Sequence, residues 1–427
     1  MSGWLGAMAD EAAADPKRKK SCILLWMNGG PSTIDMWDLK VGHANGGPFK
    51  EIATATPGIK ISEHLPKIAT FMDKMAIIRS MNTKEGDHGL GTYYLHTGYA
   101  ARGPIQYPSI GSLVAKEIGT DEAALPNYVS IAPYRQFNAE AYGSGFLGPK
   151  QAPLIVGDIA NPFGQVRNGA DPDYGEALKV KDLVPPSDLS KERFDARIGL
   201  LDDLQKDFIA DRPDVGPRSH QTAYERAVKL MRTAASKAFN LEDEPAAVRD
   251  AYGRNLFGQG CLLARRLVEK GVPFVEVTLG QGPNNNFIAW DTHGDNFNQV
   301  KALSGVLDNA WSTLMTELKD RGLLDSTLIV WMGEFGRTPQ INGGQGRDHF
   351  ANAWSTVLAG GGIKGGQVVG KTSADGTKVE EREVTAPDFL ATVAKALGID
   401  PLTQNMSNVG RPIRVADPGA KPITEIL

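Results

Sequence analysis

The stretch "LIVWMGEFGRTPQINGGQGRDHFANAW", Leu328–Trp354, holds the pattern that decides the fold. Five apolar residues run without a break, and the chain turns polar at Gly333. A short continuous apolar run closed by glycine reads as a strand buried on both faces of a sheet. Its exit carries Glu334, Arg337, Asp348 and His349, separated by glycines and a proline. In open α/β sheets, ligands gather beyond the carboxyl ends of the strands. The exit is therefore expected to form the rim of a site.

The same pattern recurs on either side. "SCILLWMNGG" (Ser21–Gly30), "MAIIRSM" (Met75–Met81), "NYVSIA" (Asn127–Ala132), "PFVEVTL" (Pro273–Leu279) and "WSTVLAGG" (Trp354–Gly361) read as further strands. Helical periods lie between them. Gly89–Tyr99 stops at Gly98, and Ser109–Gly119 ends at glycine. Val306–Leu324 is a third helix, and Ala386–Ile399 is a fourth, opened by Pro387. Strands alternating with helices predict a three-layer α/β fold, with a mostly parallel central sheet and helices on both faces. Residues 135–185 are rich in Gly, Pro, Asn and Asp and are read as long loops. From Ser190 the period becomes helical, with Phe194, Ile198, Leu201 and Phe208 on one face. Residues 190–270 are thus expected to form a helical layer or insertion. The domain reading is a tail over 1–20, one domain over 21–415, and a C-terminal tail over 416–427.

Composition narrows the function classes. The 427 residues are 41% hydrophobic and 22% charged, which is globular composition. A net charge of −4 gives no electrostatic case for nucleic acid or an anionic membrane. No apolar stretch approaches the ~18 residues of a membrane span. Cys22 and Cys261 lie in apolar runs, too few for a disulfide framework, and are expected as buried free thiols. The seven Trp residues are scattered and read as core rather than as a sugar platform. The N-terminal "GWLGAMADEAAA" has the apolar-then-small composition that ends an export signal, without a charged segment before it. It reads either as the remnant of such a signal or as a frayed terminus.

Four post-strand loops hold the candidate chemistry. There are seven His, and three of them fall in these loops beside an Asp: Asp87 with His88, Asp291 with His293, Asp348 with His349. In extended backbone, positions two apart share a face, so Asp291 and His293 can turn to one metal. Carboxylate with imidazole suits Zn, Mn or Fe, and carboxylate alone suits Mg or Ca. The bland alternative is a set of polar surface loops. Glu334 is a ligand or base, or else a cap. Arg337 is a clamp on a substrate oxyanion, or else a salt-bridge partner of Glu334. "NGGPST", with Asn28 and Ser32, either cradles an anion through its backbone amides or makes a tight turn. Asp35 and Asp38 cap a helix or reach a metal. His43, His64, His96 and His220 lack such company and are read as structural.

Seven stretches together resemble one family: "NGGPSTIDMWD", "GDHGLGTYYLHTGY", "NLFGQGCLLARRLVEKGVPFVEVTLG", "WDTHGDNF", "MGEFGRTPQIN", "GRDHF" and "LAGGGIKGGQVVG". The resemblance is to the DUF1501 family, a bacterial group of unassigned activity. That family looks like a branch of the alkaline phosphatase and sulfatase superfamily. The resemblance runs from Cys22 to about Pro401 and implies a central sheet with two adjacent metals at the strand ends. It makes Asp291, His293 and His349 the retained metal position, with Glu334 and Asp348 as further ligands or outer partners. The chain also departs from the superfamily. Asn28 stands where an acidic residue is usual, Glu334-Phe335 where an Asp-His pair is usual, and His88 where a Ser, Thr or Cys nucleophile is usual. His88 is then expected to act as base or phosphoryl acceptor. The resemblance also implies twin-arginine export to the periplasm. Two readings follow. One is a metal-dependent hydrolase (Zn, Mn, Mg or Ca) of a small anionic ester or a sulfated or phosphorylated glycan. The other is a non-catalytic binding or assembly protein on a degenerate hydrolase scaffold. The substrate and the oligomeric state are left open by the sequence.

Overall fold

The computed structural model describes residues 20–427 except 158–176, 181–182, 184–185, 187, 213–214 and 281–288. The N-terminal tail and much of the expected 135–185 loop lie outside the described residues. Eight strands form the central sheet: β1 Ser21–Met27, β2 Met75–Met81, β3 Tyr128–Ile131, β4 Leu154–Val156, β5 Phe274–Leu279, β6 Thr327–Met332, β7 Trp354–Gly360 and β8 Gln367–Val369. Their spatial order is β8-β2-β7-β6-β1-β5-β3-β4. All pairings are parallel except those of β7, which runs antiparallel to both β6 and β2.

β1 shows why these runs become central strands. All seven of its residues are buried. Ile23, Leu25 and Met27 enter the core on one face, and Cys22, Leu24 and Trp26 the core on the other. A strand that alternates between two apolar layers has no face to give to water. The helices His88–Thr97 (α1) and Ile110–Glu117 (α2) lie on the Trp26 side. Leu256–Glu269 (α5) and Asn296–Asp320 (α6) cover the opposite side, and Ala386–Ala396 (α7) returns to the first. The sheet is therefore mixed, mostly parallel, and covered on both faces, as expected. Both cysteines are buried and free, and burial pushes both thiols well above their ordinary range. Six of the Trp side chains are core, as expected. No helix among the described residues is long and apolar enough to cross a membrane.

Three expectations changed. β4 arose inside a region read as loop. It has only three residues, and its pairing with Val129–Ile131 defines it rather than any periodicity of its own. α6 begins at Asn296, ten residues before Val306, because its first turns are polar and hide the period. The block read as a helical layer or insertion holds the helices Lys191–Asp211 (α3) and Val215–Arg232 (α4), and the apolar face of the first is not core. No residue of α3 is buried, and Phe208 is 50% exposed. Its apolar face is answered by another helix, with Arg232 over the Phe194 ring, and not by the sheet.

Because β7 runs antiparallel beside β6, the chain crosses the carboxyl edge of the sheet once, over Gly333–Ala353, and descends again. That connection carries Glu334, Arg337, Asp348 and His349 across the ends of the parallel strands.

Candidate functional site

Four exits meet above the carboxyl edge. His88 follows β2 and is the first residue of α1, whose N-cap Asp87 accepts from the Leu90 amide. Asp291 and His293 lie between β5 and α6. Glu334 and Arg337 follow β6, and Asp348 and His349 lie on the same connection as it returns. Asn28 closes β1 and is fully buried.

Asp291 Oδ1 is the hub. His293 Nε2 stands 3.0 Å from it, His349 Nε2 3.2 Å and His88 Nε2 3.4 Å. The Nε2 atoms of His293 and His349 are 3.0 Å apart. The far nitrogen of each ring is also held. His88 Nδ1 is 2.7 Å from Glu334 Oε1, His293 Nδ1 2.7 Å from Asp348 Oδ1, and His349 Nδ1 2.8 Å from the Gly86 carbonyl. Carboxylates and carbonyls only accept, so each Nδ1 carries a proton and donates it. In a neutral ring, that turns the Nε2 lone pair toward Asp291. Lone pairs and a carboxylate oxygen this close repel unless a proton or cation lies among them. His88 Nε2 is moreover buried and makes no hydrogen bond of normal geometry among the described residues.

This donor set fits a divalent cation. His88, Asp291 and His349 offer one ligand atom each, all within 4.8 Å of one another. Mixed imidazole and carboxylate ligands suit Zn or a similar transition metal. Each imidazole is backed by a carboxylate or carbonyl, the outer arrangement that fixes ring orientation in metal sites. His293 stands on the open side with 47% of its side chain exposed, and the other groups are more enclosed.

Charge in the cluster is strongly coupled. Burial works against a charged His88, but Asp291 and Glu334 outweigh it and hold its pKa up at about 9. Burial alone would raise Asp291. The bonds from His349, His88 and Arg337 outweigh it and hold that carboxyl well below the usual range. Asp348 is largely solvated, and its bond to His293 draws it down.

The structure redistributes several expected roles. Arg337 is buried, and its guanidinium donates to the carbonyls of Gly29, Gly30 and Arg347 and to Asp291. It clamps the β1 exit and the hub, so its donors are not turned outward to an oxyanion, nor is it paired with Glu334. Glu334 is fully buried, and its Oε1 accepts both His88 and the Gly29 amide, at 2.9 Å. It stands behind His88. Ser32 is buried and donates to Asp35 Oδ2 at 2.6 Å, away from any opening. Gly29 and Gly30 serve close approach. At φ +111°, a Cβ on Gly29 would meet the Asp291 amide at 2.6 Å, and one on Gly30 would meet the Phe335 ring at 2.7 Å.

Sequence reasoning missed three contributors, Arg347, Asn342 and Phe137, and read Asp35 as a helix cap or metal ligand. Asp35 and Arg347 form a fully buried, two-pronged ion pair, with both nitrogen–oxygen distances at 2.8 Å. Asn342 holds the loops together. Its Oδ1 accepts the Gly344 and Gly346 amides, and its Nδ2 reaches the His293 carbonyl and Asp348. Phe137 stacks flat on His88, with centroids 4.3 Å apart and 4° between planes. Arg347 had one visible signal, its place beside Asp348-His349 in a glycine-rich loop. Phe137 had none.

A family model described as "Protein of unknown function (DUF1501)" matches residues 19–427. The chain belongs to the DUF1501 family. No curated protein matches it. Among solved structures, this DUF1501 chain is similar to the PsFucS1 sulfatase from Pseudoalteromonas sp., at 14% identity and TM-score 0.42, over 93% of this chain and 72% of that one. It is similar to a protein in the alkaline phosphatase superfamily from Vibrio parahaemolyticus, at 11% identity and TM-score 0.37, over 93% and 76%. It is also similar to the phosphonate monoester hydrolase SpPMH from Silicibacter pomeroyi, at 14% identity and TM-score 0.36, over 89% and 73%. These are likenesses of fold.

Proposed function

We propose that this DUF1501 chain is a metal-dependent hydrolase of a sulfate or phosphate ester. One observation carries the reading: three imidazoles, each fixed through Nδ1, turn their Nε2 atoms onto one carboxylate oxygen, that of Asp291. His88, Asp291 and His349 would hold the cation, with His293 as the partner on the open side. Asp348 orients His293, and Glu334 orients His88. A divalent cation there would polarise an ester oxygen and ease deprotonation of water.

The chain's own residues suit such chemistry in other ways. The open side at His293 gives an anionic ester a path to the cluster. Phe137 and Phe335 flank His88 and exclude water from its ring. His293 with Asp348 at the rim can hold and release a proton near the leaving group. His88 Nδ1 is held by Glu334 and its Nε2 faces Asp291 without a hydrogen bond of normal geometry, which suits a ligand better than a free nucleophile. The leaving alcohol is read as that of a small molecule or a sulfated or phosphorylated glycan.

Elemental analysis of purified protein tests the reading, together with a screen of sulfate, phosphate and phosphonate esters. One metal per chain is expected, lost in His293→Ala or Asp291→Ala with the fold retained. Metal-free native protein that is silent toward every ester class would reject it.

A further inference from the structure

The helix that delivers His88 rests on the sheet through a buried carboxyl group. α1 buries Gly91, Thr92, Tyr93, Leu95, His96 and Thr97, and only Leu95 among them is aliphatic. Beneath it lies Glu276, fully buried in the middle of β5. Its Oε2 accepts Tyr128 OH at 2.8 Å, and its Oε1 is 3.4 Å from His96 Nε2. His96 Nδ1 is 2.8 Å from the Thr92 carbonyl, which can only accept, so that nitrogen carries a proton. A second proton must lie between Nε2 and Oε1, because two lone pairs facing each other would repel.

The surroundings are polar as well. Trp26 Nε1, Ser130 Oγ, Thr278 Oγ1, Thr92 Oγ1 and Tyr142 OH are all buried, with no hydrogen-bond partner among the described residues. Apolar contact is non-directional and lets a helix slide. A buried ionisable group is costly unless its geometry is satisfied, and its best-attested use is to select one register. His88 and His96 are eight residues apart, about 12 Å along a rigid helix. A slip of one residue would move His88 by about 1.5 Å and turn it by about 100°, which would break its bond to Glu334.

We propose that Glu276 is a positioning residue for His88, acting through His96 to fix the axial place and roll of α1. Its metal readout rests on the metal-centre reading, and its second readout does not. The test uses the full chain with Glu276→Ala, Glu276→Gln and His96→Leu. The ring resonances of His88 are followed by NMR on histidine-labelled, metal-free protein, and Co2+ affinity is followed by visible absorption. Gln can accept from Tyr128 and donate to His96 Nε2, so Glu276→Gln is expected to keep the wild-type His88 signals. Glu276→Ala is expected to shift them and to weaken Co2+ binding about tenfold or more, as loss of an outer partner does. A folded Glu276→Ala with unmoved His88 signals and unchanged Co2+ affinity overturns the proposal. So does a Glu276→Gln that moves the signals as far as Glu276→Ala does. If Glu276→Ala does not fold, His96→Leu decides, since it removes the link from Glu276 to α1, and unmoved His88 signals there reject positioning. A wild-type chain that binds no Co2+ defeats the metal-centre reading, while the His88 signals still judge Glu276.

Discussion

Replacing Asp35 by Ala removes the carboxylate at the centre of the loop assembly. Asp35 and Arg347 are both fully buried. The carboxylate accepts two bonds from Arg347 at 2.8 Å, one from Ser32 at 2.6 Å and one from Asn296 Nδ2 at 2.8 Å. Without it, Arg347 keeps only carbonyl partners, at Asn45, Thr338 and Pro339. Breaking a buried ion pair from one side costs about 3–5 kcal/mol, because the remaining charge is left uncompensated. For a chain of this length unfolding as one unit, at about 2.1 cal/mol/K per residue, that lowers Tm by about 3–6 °C. The assay is calorimetry of the wild type, Asp35→Ala, Arg347→Met and the double variant. The double variant is expected to recover much of the loss, since two apolar groups leave no buried charge. Losses that simply add in the double variant, or a single-variant loss under about 1 kcal/mol, would refute the reasoning. Metal content should fall with Asp35→Ala, because the pair joins the β1 exit to the loop that carries His349.

Two further outcomes are expected. Glu334→Gln keeps the shape but weakens the acceptor behind His88, and metal affinity should drop about 10- to 100-fold with Tm nearly unchanged; unchanged affinity in a metal titration would separate Glu334 from the site. The His88 pKa is raised from the ordinary 6.5 to about 9 in the metal-free chain. A raised pKa means that the folded state binds the proton more tightly, so this stabilisation is full below about 6.5 and is lost as pH rises through about 9. Asp291 is depressed, so its share is present above the usual carboxylate range and is lost as pH falls below that range toward the depressed folded value. Thermal unfolding of metal-free protein from pH 6 to 10 should show the alkaline loss, and His88→Asn should flatten it. An equal alkaline slope in that variant would assign the effect to other groups.

Much of the sheet was legible because burial on both faces leaves a strong local mark. Met75–Met81 is the strand as read, and Thr327–Met332 and Phe274–Leu279 differ from their readings by one residue. β4 was not legible, because three residues carry no period and an edge strand is made by its neighbour. α3 is the opposite case, a helix that was legible while its packing was not. Its period is real, but periodicity says only that a face is apolar, not what will cover it.

By itself the sequence determined the alternation of strand and helix, the loops that hold chemistry, and three Asp-His pairs at strand exits. It did so because backbone period, glycine punctuation and residue type are local properties. Only the tertiary structure decided which partners those residues take. It gave β7 its antiparallel course, brought four exits onto Asp291, and put His88 beside that carboxylate with Glu334 behind it. It also turned Arg337 from the opening to the clamp beneath the hub. The physical reason is that hydrogen bonds and ion pairs act over a few ångströms. Residues separated by 312 positions, as Asp35 and Arg347 are, meet only when the sheet has set its strand order.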